Sequence, residues 1–545
     1  MAHRSLGHRA PLLWLVLPYA GGLALGRVTH GIAVWPALIG AGVAAALALV
    51  LADRRQSIWA MALVTALGLA GAASYTLHRA RLPAWDHLPP REARLGLRVE
   101  RAFTAGFEHR VTGLATIIRT DAHLRELLGQ PLYFSLHREP GHPMPLRSAE
   151  IDATGVLELL PEHPPANTFA GYLAATGMNF TLTRGNLQAE TRPPSRFRQF
   201  CARTREQFSR TLGFGVVAKR PDLTGVLRAM LLGQKDELSD AQDSLFMQSG
   251  TMHLFAISGL HIGVIAVGLQ ALFSLLRCPR LLRLVLGVIL LWLYVAITGG
   301  TPSAVRAFTM VALFQTSQQW KVPGNPLAAL AASALVVLLL EPLQLFSASF
   351  QLSYGIVAAL LLLGLPLGET WLARWPAFAH LPKVTWHWWH HWIDAVWRAG
   401  LGVFAIGLAS ILFSLIAGVE YFGLFTPGAL LANLVLIPLA MIVILAGMGS
   451  LLCGMAGFTL GTLLCNHAAI LILWFIDQGI RFFVVLPGVY HAASFKAPWI
   501  GPVALTLLLG SLLWGYANRW RGHLVSWWPP FILVALALIF GVNFR

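Results

Sequence analysis

Residues Met252–Leu269 read MHLFAISGLHIGVIAVGL, and this stretch decides the fold. It is apolar enough to enter a bilayer, yet it carries His253, Ser258, Gly259 and His261. Polar groups in hydrocarbon are costly unless they face protein or water. The glycine after Ser258 also weakens a helix in mid-span. The stretch therefore reads as a discontinuous membrane helix that lines a polar cavity.

Composition extends this reading to the whole chain. Of 545 residues, 56% are hydrophobic and 12% charged, where soluble domains carry about 25% charge. Soluble and disordered proteins are thereby excluded. The net charge of +16 is mostly arginine, with lysine at Lys219, Lys235, Lys321, Lys383 and Lys496 alone. Guanidinium forks suit phosphate, but positive loops that orient membrane helices create the same excess. The cysteines, Cys201, Cys278, Cys453 and Cys465, form no CxxC pair, so spacing shows neither a zinc site nor a disulfide framework. A pair such as Cys201 with Cys465 stays open.

Upstream, apolar stretches at 12–26, 32–51 and 58–77 each approach the ~20 residues that span a bilayer. From about 79 to 192 the character changes to charged residues and short β-forming runs. Strands are expected at 95–100, 111–119, 132–137, 151–159 and 179–183. Five strands in this length predict a small inserted OB-like β-barrel, a fold whose face often binds single-stranded nucleic acid.

Residues 196–212 follow as a basic amphipathic helix. Phe197, Phe200, Cys201, Thr204, Phe208 and Leu212 share one face, while Arg196, Arg198, Arg203, Arg205 and Arg210 lie elsewhere. Such a helix is expected at the membrane surface, where its arginines either anchor to headgroups or guide a polyanion.

Ten further spans are expected, at 254–276, 281–297, 303–316, 327–340, 350–367, 399–417, 429–452, 460–485, 501–516 and 531–544. The fold class is thus a polytopic α-helical membrane protein of about thirteen transmembrane helices with an inserted barrel. Cationic loops containing Arg277, Arg280 and Arg283, then Lys321, then Arg374, Lys383 and Arg398, then Arg519 and Arg521 follow alternate spans. The positive-inside rule makes them cytoplasmic, which places the amino terminus inside and both the barrel and the carboxyl terminus outside. The expected division is 1–78, 79–192, 193–220 and 221–545.

Within the spans, Arg306 needs an oxygen partner or water, and it either holds passing phosphates weakly, or snorkels to the interface or makes a helix-capping bond. Gln351, Ser353 and Asn433 are polar interruptions that line a wet path or bond neighbouring helices. Ser258 and His261, three apart, share a helix face, but no acidic orienter lies nearby, so hydrolysis ranks below a structural polar cluster. His253 and His261 lack the His-x-x-x-His spacing of a zinc pair, and no catalytic, metal or cofactor site is expected. Asp477 and Arg481, four apart, are expected to neutralise each other. The run WHWWHHW, 386–392, reads as an aromatic interfacial loop rather than a metal site.

Several segments together resemble the ComEC family of DNA uptake channels. The central run HLFAISGLHIG is preceded by LLGQKDELSDAQDSLFMQSGTMH and followed by ITGGTPSAVRAFTM, FQLSYGIVAALLL and ANLVLIPL, while PPANTFAGYLAATGMNF lies upstream. The resemblance implies an inner-membrane passage for single-stranded DNA during natural transformation, with His253, Ser258, Gly259, His261, Arg306, Gln351, Ser353 and Asn433 along the route. Longer members end in a metallo-β-lactamase-like domain; here the sequence reaches Arg545 just after a span, and no HxHxDH motif occurs. A separate nuclease, a ComEA-like receptor and a cytoplasmic ATP-dependent translocase are the implied partners, because no GxxxxGK[ST] loop is present. In the 164–180 segment, Thr168 and Ala170 replace the family's Gly and Asp-Tyr, so the outer domain is expected to be diverged. A transporter of a smaller anion and a non-transporting scaffold are the alternatives.

Overall fold

The computed structural model describes residues 10–29, 32–52, 56–79, 89–103, 110–139, 144–161, 164–165, 168–255, 257–319, 325–520 and 527–544. Helices α1 (Leu13–Val28), α2 (Val34–Leu51) and α3 (Gln56–His78) open the chain, with α3 packed on both others. Small residues set the α1–α3 seam. A Cβ at Gly22 would lie 2.0 Å from the Gly68 carbonyl oxygen, and one at Gly71 would lie 2.3 Å from that of Tyr19. Glycine lets these backbones touch, which is how helices associate where hydrophobicity gives no net drive. The Tyr19 hydroxyl donates to Ser74 Oγ at 3.0 Å in the same seam.

All five expected strands form: β1 (Arg91–Phe103), β2 (Arg110–Thr120), β3 (Pro131–His137), β4 (Glu150–Leu159) and β5 (Phe180–Arg192). They close as β1-β2-β3-β5-β4, with β3 and β5 parallel and all other pairs antiparallel. Alternation drives Leu95, Leu97 and Val99 inward against Leu132, Phe134 and Leu136. Strand β5 runs nine residues past its expected end at 183, because Arg184 at φ 53° and Gly185 make an irregular step rather than a stop. A Cβ at Gly185 would meet the Thr154 carbonyl oxygen at 1.7 Å, so the two strands cross there in close contact.

The barrel is tied to the helices. Arg79, at the end of α3, donates to the Met178 carbonyl at 2.9 Å and also to Asn179 Oδ1. Short helix α4 (Phe169–Ala175), whose cap Thr168 accepts from the Gly171 N–H, rests on the turn Pro342–Phe346.

Helices α5 (Arg196–Gly213), α6 (Pro221–Leu232) and α7 (Asp240–Gln248) lead into the bundle. It comprises α8 (Gly259–Leu275), α9 (Arg280–Ile297), α10 (Pro302–Gln319), α11 (Pro326–Leu340), α12 (Ala348–Ala359), α13 (Leu365–Arg374), α14 (Trp388–Phe422), α15 (Ala429–Met455), α16 (Thr459–Val484), α17 (Ile500–Ala517) and α18 (Trp528–Gly541). One core gathers α6, α8, α15 and α16, and a second gathers α1, α11, α12, α14, α17 and α18. A π-helical turn, Leu360–Gly364, joins α12 to α13. Trp520 Nε1 donates to the Leu362 carbonyl there at 2.8 Å, satisfying a buried group that a tryptophan can reach.

Nine helices among the described residues are long and apolar enough to cross a membrane, and Leu13–Val28, Pro326–Leu340 and Trp528–Gly541 are shorter apolar helices. The stretch at 303–316 is helical as part of α10. Three expectations need correction. The last span stops at Gly541, because Val542–Phe544 is strand β8, paired with β7 (His491–Phe495), which in turn pairs with β6 (Leu424–Phe425). The span expected from 254 matches an apolar candidate span at Met252–Leu275, but its regular helix starts at Gly259, after a separate 3-10 turn at Met252–Leu254. The WHWWHHW run is mostly not a loop: His387 caps α14, and its 35 residues give about 52 Å, well beyond a ~30 Å hydrocarbon layer.

All four cysteines are free; Cys201 packs on Ala296 and Ile297, while the Cys453 and Cys465 thiols touch across the α15–α16 turn. Lys321, Arg521 and the 53–55 charges lie outside the described residues, as do Ala256 and parts of the 164–180 segment.

Replacing Gly22 by Val should separate α1 from α3 and destabilise the protein by about 1–3 kcal/mol. Gly21→Ala, which has open space around it, should change stability little. Thermal denaturation of the detergent-solubilised full chain reads both.

Candidate translocation site

The break before α8 is built from its own polar residues. Ser258 is extended at φ −121° and ψ 175°, so the chain enters the helix at Gly259. His261 Nδ1 accepts from the Ser258 N–H at 3.3 Å and lies 3.0 Å from Ser258 Oγ. An Nδ1 that accepts a backbone N–H leaves the ring proton on Nε2. That Nε2 is buried and has no partner among the described residues. The pair is thus a helix cap. Among the described residues no carboxylate is hydrogen-bonded to the ring.

The next motif closes the break. Gly299 and Gly300 take φ of 94° and 63°, turning α9 sharply into α10. Ser303 Oγ then donates to the Ile257 carbonyl at 2.9 Å, a group left unsatisfied by the broken helix. One turn on, Ala307 packs against Gly259. Arg306 beside it is 2% exposed. Its Nη2 donates to Ser349 O at 2.8 Å and to Ser349 Oγ at 2.6 Å, joining α10 to the start of α12. Nε and Nη1 have no partner among the described residues, and Glu341 and Tyr354 are the charged or titratable groups near enough to act on the guanidinium. A cation this enclosed without an ion pair is under strong desolvation cost. It does not snorkel.

The remaining expected residues divide. Gln351 Nε2 donates to the Leu345 carbonyl at 3.0 Å, a structural bond that closes the turn before α12. Ser353 is partly exposed on the same helix. Asn433 Oδ1 is buried without a partner, and Ala429, one turn earlier on α15, abuts Gly250. His253 is exposed on the 3-10 turn. The structure therefore joins Ser258, Gly259, His261 and Arg306 along one seam; Gln351 serves the adjoining turn.

The sequence reading missed Ser303, Ser349 and Asn466. Asn466 is fully buried in α16, and its Nδ2 donates to the carbonyls of Thr211 at 2.8 Å and Phe214 at 3.0 Å, holding the end of α5. An amide inside an apolar span was the available signal.

Helix α5 itself sits against protein. Phe197 stacks on Trp292 at 5.3 Å, Cys201 and Leu212 are buried, and Phe200 stays exposed. Much of the apolar face expected to meet lipid is covered by α9, α6, α15 and α16. Its arginines differ in freedom. Arg210 pairs with Glu206 at 3.1 Å, and burial lowers the pKa of Arg205 against the opposing pull of Asp236 and Glu237. Arg198 is half-buried and lowered by burial and by Arg147, while Arg196 and Arg203 are exposed. Arg147 of the barrel also approaches Gly300, so the barrel overlies the α9–α10 turn. No group of three or more His, Cys, Asp or Glu side chains able to hold a metal occurs among the described residues.

A broken, polar-seamed helix within an apolar bundle, overlain by a closed barrel, defines a multi-pass membrane protein. A family model described as Competence protein matches residues 230–521, more than half of the chain, and the chain belongs to that family. It is 34% identical over 142 residues to ComE operon protein 3 of Bacillus subtilis, covering 26% of this chain and 18% of that one. Recombination protein 2 of Haemophilus influenzae is 30% identical over 172 residues, covering 30% of this chain and 22% of its own. Competence protein ComA of Neisseria gonorrhoeae is 31% identical over 151 residues, covering 26% and 21%. The matched region thus spans about a fifth of each of these relatives. No solved structure matches the chain.

The bond to Ser349 Oγ is charge-assisted, and Ser349→Ala removes it while keeping the bond to the Ser349 carbonyl, so the substitution should destabilise the protein by about 1.5–3 kcal/mol. In an Arg306→Met background the same change should cost almost nothing, and a double-mutant cycle in thermal denaturation measures the difference.

Proposed function

We propose that the chain forms, alone or as an oligomer, a passage for single-stranded DNA across the bacterial inner membrane during natural transformation. The observation that carries the reading is the Competence family match, because residues 230–521 contain the broken helix, Arg306, Gln351 and Asn433. The amino terminus is cytoplasmic and the barrel lies outside, where strand order 1-2-3-5-4 with β3 parallel to β5 fits an OB-like module. The barrel and the exposed arginines of α5 gather the polyanion by phosphate contacts, which salt weakens.

His261 and Arg306 then supply buried N–H donors that lack partners, suited to hold a phosphate briefly as it passes. Both are closed to solvent at 0% and 2% exposure, so this conformation is a shut passage and α8, α10 and α12 must part for transport. No bond-breaking step is assigned to these residues in this scheme; a nuclease, a ComEA-like receptor and an ATP-dependent translocase are the partners it calls for.

In cells without the protein, labelled DNA should stall outside the cytoplasm, with rescue by the natural chain and not by His261→Ala or Arg306→Ala. Cytoplasmic arrival that is unchanged by the deletion, with no second channel present, would sink the proposal. Binding of single strands to the purified chain should fall about a hundredfold or more between 50 and 200 mM salt. Saturable binding of a small anion unaffected by strand length would instead favour a transporter, and normal transformation by both variants would favour a scaffold.

A further inference from the structure

A small recess of about 70 Å³, room for a phosphate-sized group, opens at the seam between barrel and bundle, lined by Arg27, Tyr75, Arg79, Tyr172, Phe346 and Tyr421, among others. Five separate parts of the fold meet there: the ends of α1, α3 and α14, helix α4 of the barrel, and the turn leading into α12. The Arg27 guanidinium lies over the Phe346 ring, 4.6 Å from its centroid, and Arg79 is fixed by its bond to the Met178 carbonyl. Glu420 acts electrostatically on Arg27. Three tyrosines add hydroxyls capable of donating.

Next to these cations the surface is apolar. Leu25 is 53% exposed and Val28 75%, flanking Arg27, and Leu77, two residues before Arg79, is 52% exposed. A cationic recess at the end of apolar helices fits a ligand with an anionic head and hydrocarbon tails. We propose that this recess binds the phosphate of an anionic phospholipid headgroup, with the acyl chains lying along α1 and α3. A nucleic-acid strand would meet Leu25, Val28 and Leu77 with nothing to match them. The lipid would bridge Arg27 and Arg79 and so strap the barrel to the bundle. It would also steady the turn 343–348, which ends one residue before Ser349, the anchor of Arg306.

The test uses the purified full-length chain and native mass spectrometry with phosphatidylglycerol, phosphatidylcholine, inorganic phosphate and a single-stranded oligonucleotide as separate probes. Phosphatidylglycerol should bind the natural protein more tightly than phosphatidylcholine. Arg27→Gln, which removes one charge-assisted contact, should weaken it about tenfold, while Arg27→Lys should keep most of the affinity. Tyr172→Phe serves as the second variant if Arg27→Gln does not fold, with a smaller loss in the same direction expected.

Equal phosphatidylglycerol affinity in the natural chain and whichever of these variants folds would overturn the proposal. Displacement of the lipid by the oligonucleotide would assign the recess to the DNA route, and displacement by inorganic phosphate at matched concentration would assign it to a soluble anion; either overturns a lipid site. These readouts do not depend on DNA uptake, so the proposal stands or falls apart from the translocation reading.

Discussion

A buried guanidinium that bonds to one serine holds this bundle's polar seam together. Arg306 reaches Ser349 from α10, and Ser303 on the same helix satisfies the Ile257 carbonyl in the break before α8. In an apolar surrounding a broken helix exposes backbone groups that lipid cannot satisfy, so the break persists where another helix supplies the missing donor. Three helices are thereby locked to one arrangement at the level where the route is proposed to be shut.

The arrangement is incompletely satisfied. His261 Nε2, Arg306 Nε and Nη1, and Asn433 Oδ1 are buried without partners among the described residues. Full satisfaction of buried polar groups is the rule in folded proteins, and departures concentrate where a protein must change state or meet a ligand. The barrel stands over this region, with Arg147 near Gly300 and α4 on the turn that leads to Ser349. The barrel thus contacts both turns that flank the seam.

Much of this was legible in the sequence because its periods were clean. The alternation at 95–99 and 132–136 marked the barrel strands, and the arginine-rich face of 196–212 marked α5 within a residue of its observed end. The broken helix was legible from Ser258-Gly259 inside an apolar run. The end of β5 was not, since Arg184 and Gly185 look like a turn and the pairing partner Glu150–Asp152 decides otherwise. Nor was the start of α14, where a run of tryptophan and histidine mimics an interfacial loop but is capped by His387 and extended by Asp394–Arg398, an ion pair at 2.7 Å.

The sequence by itself determined an apolar helical protein with several polar interruptions and one inserted barrel, because both follow from local composition and period. Tertiary structure decided which polar groups meet. Ser349 and Ser303 are unremarkable serines until Arg306 and the Ile257 carbonyl are brought to them, 43 and 46 residues away. It also decided that α5 lies against protein, since an amphipathic face fits lipid and a neighbouring helix equally well and Asn466, 252 and 255 residues from the carbonyls it holds, settles the choice. Local patterns state which faces must be covered; what covers them is a property of the assembled chain.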